Sequence, residues 1–374
     1  MSSDLPHRDI PFFNYREAFM HNEEEFVSIF RGVLHRGAYI MQKDLQDFEA
    51  HLCEFLGVKY AFGVANGTDA LTIALLAAGL QPGDEVLFPS HTMVASAGAI
   101  VYAGGIPVPV DIASDHMMDP ADLERAITDR TRAIMPVQVN GRTCDMDAIQ
   151  AVADEHGLFI VEDAAQGLGS RFKGKCAGTF GAAGTFSFYP AKVLGCLGDG
   201  GAVVTNDDHV ADRISMLRDH GRLHDAEIRM WGMNSRLDNL QAALLDLQLR
   251  TYDATMQRRR KIASMYEERL RDIAEIVLPP GPSDDPNHFD VYQNYEIEAE
   301  RRDDLREFLK GNGIGTIIQW SGKAVHQWTD LGFNVQLPNT EAFFTRCMML
   351  PMNMVICDKD VEYICSKIRV FYGR

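Results

Sequence analysis

The sequence predicts an α/β fold, with a large, mainly parallel sheet carrying helices on both faces and a smaller α/β unit after it. Two patterns predict this. Through the first two-thirds of the chain, short apolar runs alternate with amphipathic stretches, the pattern of parallel strands joined by helical crossovers. Near residue 250 the composition turns strongly charged, and a second strand–helix set follows.

Residues 60–64, 85–88, 106–110, 133–137, 159–161 and 202–205 read as strands. They are apolar along most of their length rather than alternating, as strands covered on both faces are. Between them, 69–78, 119–126 and 145–156 read as helices. Arg258-Arg259-Arg260-Lys261 and the charged stretch 266–271 predict a long helix, and 278–286 is a Pro/Gly/Asp loop. Then come a strand over 291–297, a helix over 302–312, a strand over 315–320 and a final helix over 359–371. The chain thus divides into a large unit over residues 1–250, N-terminal arm included, and a small one over 251–374. No fixed-period repeat is present. A parallel sheet of this kind places ligands beyond the carboxyl ends of its strands.

The formal charge of −17 over 374 residues opposes binding to nucleic acid or to an anionic membrane. An anionic substrate then calls for a local basic pocket. The seven cysteines are scattered and form no C-x-x-C pair, so neither zinc nor a disulfide framework is expected. Free thiols and an N-terminus without an apolar signal core fit a cytoplasmic protein. Residues 86–110 carry no Asp, Glu, Lys or Arg. Even so, Pro89, Pro107, Pro109 and Gly104-Gly105 break that stretch into pieces too short to span a bilayer.

Four stretches carry chemistry. In Val64-Ala65-Asn66-Gly67-Thr68-Asp69 a strand gives way to a helix through a small-residue turn. The free N–H groups there, with the Thr68 hydroxyl, suit a phosphate, while a plainer role for Thr68 is to cap the helix. In Ile160-Val161-Glu162-Asp163-Ala164-Ala165-Gln166 an apolar strand runs into two carboxylates. A buried Asp163 at that strand end can hold a pyridine nitrogen protonated, or simply cap a following helix. Gln166 lies one turn on.

The third stretch, Ser187-Phe188-Tyr189-Pro190-Ala191-Lys192, sets a lysine among aromatic and glycine-rich residues with no other charge until Asp199. Partial desolvation lowers a lysine's pKa and makes it nucleophilic. The fourth is Asn234-Ser235-Arg236-Leu237-Asp238, where Ser235 and Asp238 read as a capping box.

In this order and spacing, Asn-Gly-Thr-Asp-Ala-Leu, Glu-Asp-Ala-Ala-Gln, Ser-Phe-Tyr-Pro-x-Lys, Gly-Asp-Gly-Gly-Ala and Asn-Ser-Arg-Leu-Asp-x-Leu-Gln-Ala-Ala resemble the DegT/StrS family of sugar aminotransferases. The resemblance covers roughly residues 29–371. It implies the aspartate-aminotransferase-like fold, a large seven-stranded-type sheet domain plus a small C-terminal one. It also implies pyridoxal 5′-phosphate (PLP, cycling with PMP) as cofactor, and a homodimer with shared active sites. Position by position, Lys192 matches the Schiff-base lysine and Asp163 the partner of the pyridine nitrogen. Gln166 matches the residue beside the PLP ring and its hydroxyl. Gly67, Thr68 and Ser187 match phosphate ligands, and Asn234 matches the phosphate contact from the neighbouring subunit.

The chain departs from the family pattern twice. Met93 stands where an aromatic ring usually stacks on PLP, which leaves His91 as a candidate to compensate. In the loop 318–327 only the part around His326 follows the pattern, and Trp320, Lys323 and His326 are the candidate contacts to sugar or nucleotide. The expected activity is ping-pong transamination of a nucleotide-linked keto sugar, with L-glutamate as amino donor, giving an amino sugar for polysaccharide or glycoside biosynthesis. The run from Asn234 to Asp238 looks more like relatives that aminate carbon 3, with carbon 4 the alternative. Relatives that dehydrate carry histidine in place of Lys192. A PLP-binding regulatory protein of the same fold is the non-enzymatic alternative.

Overall fold

The structure, a computed structural model, describes residues 6–223 and 227–374. The first five residues of the N-terminal stretch discussed above lie outside it. Strands β1 (Tyr60–Val64), β2 (Glu85–Pro89), β3 (Ile106–Val110), β4 (Thr131–Ile134) and β5 (Phe159–Asp163) alternate with helices. A short hairpin, β6 (Arg171–Phe172) and β7 (Lys175–Cys176), precedes β8 (Ala183–Ser187) and β9 (Gly201–Thr205). Seven of these strands form one sheet in the order β1-β9-β8-β5-β4-β2-β3. Every pair from β3 to β8 is parallel, and only β9 opposes the rest, pairing antiparallel with both β8 and β1.

Both faces of the sheet are covered, which is why its strands read as continuous apolar runs. Along β9, Val203 points into a layer with Val64, Ile73 and Leu75. Its neighbours Ala202 and Val204 point into the opposite layer with Phe48, Phe186 and Leu245. Each fully buried Val, Leu or Phe here contributes about 1.5–3 kcal/mol. The helix Gly67–Ala78 is apolar almost all round because it lies inside the first layer.

After residue 250 the helix Tyr252–Leu270 serves two cores. Tyr252 and Met256 pack with Phe186 and Leu245, while Ile262, Tyr266 and Leu270 pack with Tyr295, Leu309 and Ile364. A three-stranded antiparallel sheet follows, with β12 (Tyr295–Ala299) between β10 (Ile276–Val277) and β13 (Cys347–Leu350). The strand β11 (His288–Phe289) instead reaches across to pair with β6. At the other end of the chain, Ile10 bridges to Ile314 and joins the C-terminal core.

Several expectations need correction. The strand expected over 315–320 is absent: Ile317 makes one bridge to Met349, and Trp320 and Ser321 then turn left-handed into a 3-10 turn. The strand expected over 291–297 begins only at Tyr295, because Tyr292 adopts a positive φ of 51°. The helix cap after β1 is Asn66, not Thr68, since the Asn66 side chain accepts from the Asp69 N–H. No helix follows Asp163 for it to cap. Asp238 makes no side-chain cap bond, and the Ser235 hydroxyl is engaged elsewhere. Among the described residues no helix is long and apolar enough to cross a membrane, and no cluster suits a metal ion.

Candidate active site

Sheet direction builds the site. Because β1, β5 and β8 run the same way, Val64, Asp163 and Ser187 all end at one edge. The reversed β9 starts there, with Gly201 opposite both Val64 and Ser187. The turn Asn66-Gly67-Thr68, the Asp163 carboxylate and the Lys192 loop after β8 therefore converge where a parallel sheet keeps its ligands.

The turn fits a phosphate. Asn66 takes the N–H groups of Asp69 and Ala70 through its side chain and carbonyl, leaving those of Gly67 and Thr68 to face an anion at the helix N-terminus. A Cβ on Gly67 would stand 2.8 Å from Ser187 Cβ, and one on Gly201 would stand 2.6 Å from the Asn66 carbonyl. Glycine at both positions lets the turn close onto Ser187. Ser235 locks it from outside, donating to Asp69 Oδ2 at 2.6 Å and accepting from the Ala65 N–H at 3.2 Å.

Asp163 is only 5% exposed. Ser96 donates to its Oδ2 at 2.7 Å and the Ala165 N–H to its Oδ1 at 3.2 Å. Burial pushes its pKa up, against the pull of those two bonds and of Lys192. A cationic ring nitrogen would pair with such a buried carboxylate. Burial also lowers the Lys192 amine to about 8, opposed by the nearby Asp163. At that value the lysine is a competent nucleophile near neutral pH. The loop that carries it is held from the C-terminal unit: Gln293 accepts from the Val193 N–H at 2.9 Å and donates to the Ala191 carbonyl at 2.9 Å. Gln293 was not singled out in the sequence, since a polar residue before a strand carries no signal of a partner a hundred residues away.

Gln166 lies partly buried near this edge, its Oε1 accepting from the Asn140 N–H at 2.6 Å. Met93, 49% exposed, caps the helix that carries Ser96, its sulfur accepting from the Ala95 N–H at 3.1 Å. His91 does not share that exposure. It is buried among Trp320, Phe343 and Phe344 at ring distances of 5.5, 4.7 and 5.6 Å, so it neither stacks on an open cofactor face nor meets substrate.

His326 is likewise internal, between Ser90 Oγ at 2.7 Å and Glu341 Oε1 at 3.2 Å, and acts as a strut for its loop. Trp320 is partly buried against Phe344, whereas Lys323 is exposed and lies over the Trp328 ring at 4.9 Å. Asn234 is exposed and makes a backbone bridge to Asp219.

A cavity of about 750 Å³ adjoins Lys192, walled by Phe12, Tyr15, Arg258 and Asn294. It does not include Asp163 or the Gly67 turn, so it borders the cofactor groups rather than containing them. The expected basic pocket does not appear on this wall. Arg258 pairs with Asp358, and Arg259 donates to the carbonyls of Tyr292, Gln293 and Met352.

Taken together, a lysine of depressed pKa, a buried carboxylate and a glycine-walled anion turn fit PLP at its aldehyde, ring nitrogen and phosphate. Comparison with known proteins agrees. The DegT/DnrJ/EryC1/StrS aminotransferase family model matches residues 20–369. The chain is 39% identical over 364 residues to the dTDP-3-amino-3,4,6-trideoxy-alpha-D-glucose transaminase of Streptomyces venezuelae, covering 94% of this chain and 93% of that one. It is 37% identical over 369 residues to the "Pleiotropic regulatory protein" of Geobacillus stearothermophilus, covering 97% and 99%. The crystal structure of S. venezuelae DesV superposes with a TM-score of 0.93 at 38% identity, covering 98% and 99%. That of Bacillus subtilis NtdA with bound cofactor PMP gives 0.91 at 27% identity, covering 100% and 87%.

Proposed function

The chain belongs to the DegT/DnrJ/EryC1/StrS aminotransferase family, and from that premise we propose that it transfers an amino group from L-glutamate to carbon 3 of a nucleotide-linked keto sugar. It is a PLP-dependent sugar aminotransferase. The observation that carries the site assignment is the convergence of Lys192, Asp163 and the Gly67–Ser187 turn at one sheet edge. When bound, PLP supplies an electron sink for the carbanion left by proton removal. Lys192 would hold the cofactor covalently, and its amine would take the proton from the donor's α-carbon. Asp163 keeps the ring nitrogen protonated. Thr68, Ser187 and the Gly67 N–H anchor the phosphate, Gln166 flanks the ring hydroxyl, and Met93 packs on the ring face.

Carbon 3 and the nucleotide link are supported by the S. venezuelae relative, a 3-amino sugar transaminase by name, and by the run from Asn234 to Asp238. The exposed Lys323 and the adjacent Trp320 are the proposed sugar or nucleotide contacts. We take the working unit to be a homodimer, with Asn234 completing the neighbour's phosphate site.

The test is to purify the protein, record its visible absorbance and add L-glutamate, then nucleotide-linked 3-keto or 4-keto sugars. Bleaching by glutamate and recovery with the 3-keto sugar is the expected result. Recovery only with the 4-keto sugar overturns the carbon assignment. A second reading, a PLP-binding regulatory protein, is favoured by the name of the G. stearothermophilus relative. It predicts bleaching by glutamate without turnover of any keto sugar.

A further inference from the structure

A carboxylate sits where the C-terminal sheet should be apolar. Tyr295, Ile297 and Ala299 of β12 face the C-terminal core, while Glu296, on the opposite face, is buried at 3% exposure. A buried charge is costly unless it is paired and hydrogen-bonded. Here one oxygen, Oε2, accepts from Asn140 Nδ2 at 2.7 Å and Gln319 Nε2 at 3.0 Å, and His91 Nε2 stands 3.4 Å from it. Oε1 has no partner. Although burial pushes the Glu296 carboxyl up, the neighbouring His91, Asn140 and Gln319 hold it below the ordinary value.

The bonds lead onward to Gln166. Asn140 occupies a left-handed conformation, φ 56°. Its Oδ1 accepts from Gln319 Nε2 at 2.8 Å and Asn294 Nδ2 at 2.9 Å. Its backbone N–H then donates to Gln166 Oε1 at 2.6 Å, with Asn294 Nδ2 at 3.5 Å from the same oxygen. Two donors facing that atom require it to be the amide oxygen, so the Gln166 NH₂ must point elsewhere.

We propose that Glu296 is a positioning residue for the reaction: through Asn140 it fixes the Gln166 amide with its oxygen inward and its NH₂ presented to the cofactor hydroxyl. The inference rests on the reading above that Gln166 flanks that hydroxyl. A donor there favours the ionised hydroxyl, so the network sets the pH at which the visible band of the lysine-bound cofactor changes.

The experiment is a spectrophotometric pH titration of the purified holoenzyme without amino donor. Four variants are compared: Gln166→Ala, Glu296→Val, Glu296→Gln and the double variant Gln166→Ala/Glu296→Val. Gln166→Ala should move the midpoint by about one pH unit, the scale of one hydrogen bond to a charged group. Glu296→Val should move it the same way. Glu296→Gln keeps an oxygen at the Oε2 position and its NH₂ takes the partnerless Oε1 position, so its midpoint should stay near that of the parent. The double variant should go no further than Gln166→Ala alone.

Asn140→Gly, which keeps the left-handed backbone and the N–H but loses the anchor, should behave like Glu296→Val and serves if the latter does not fold. A parental midpoint in both Glu296→Val and Asn140→Gly, or additive shifts in the double variant, overturns the proposal. A parental midpoint in Gln166→Ala instead sinks the underlying reading of Gln166, and the inference with it.

Discussion

A lysine depressed to about 8 by burial makes a prediction at the scale of one residue. The free amine captures PLP, so capture by the cofactor-free protein should accelerate as pH rises through about 8 and level off above it. Below that point it should slow by about tenfold per pH unit. Stopped-flow absorbance reads the rate, and an inflection near the ordinary lysine value of about 10.4 contradicts the buried amine. Lys192→Ala should lose the visible band altogether. Asp163→Asn keeps the shape and the Ser96 neighbour but cannot pair with a cationic nitrogen. Losing a charge-assisted bond corresponds to roughly a ten- to hundredfold fall in kcat, measured on protein saturated with PLP.

At the scale of elements the controlling contact is the closure of the helix Gly67–Ala78 onto β8. Gly67→Ala drives a methyl to within 2.8 Å of Ser187 Cβ, so either the turn or the strand end must retreat. Overpacking of this kind costs about 1–3 kcal/mol. If it falls on the bound state, the PLP dissociation constant should rise about five- to hundredfold, as equilibrium dialysis would record, and the fold by circular dichroism should stay unchanged. An unchanged affinity would mean that phosphate is held elsewhere.

This element was legible in the sequence because a strand–turn–helix with small residues is a local pattern. Lys192 and Asp163 were legible for the same reason, each sitting at the end of an apolar run. The cap at Asn66, the buried placement of His91 and His326, and the support from Gln293 were not. Each depends on which distant element packs against it. A polar residue on a strand such as Glu296 reads as solvent-facing until the second layer is known. The left-handed turn at Trp320 and Ser321 broke an apparent strand that composition alone could not distinguish.

At the scale of the whole molecule the proposed homodimer can be tested directly. Trp231 is 96% exposed, and Phe30, Tyr39 and Tyr102 are also exposed, rings that the proposed subunit interface would cover. Trp231 lies three residues before Asn234, the residue proposed to complete the neighbour's phosphate site. If each site takes Lys192 from one subunit and Asn234 from the other, two disabled variants can repair each other. Lys192→Ala and Asn234→Ala homodimers should each show little or no turnover. Mixed one to one under conditions that exchange subunits, half the dimers pair one of each. Every such dimer has one site with both residues intact and one with neither, so activity should recover to about a quarter of the parental value per subunit. Recovery should need exchange, and covalently crosslinked homodimers mixed in the same ratio should show none. A mixture that never rises above the mean of its parts would place Asn234 in its own subunit's site or in none, and the exposed rings would then need another explanation.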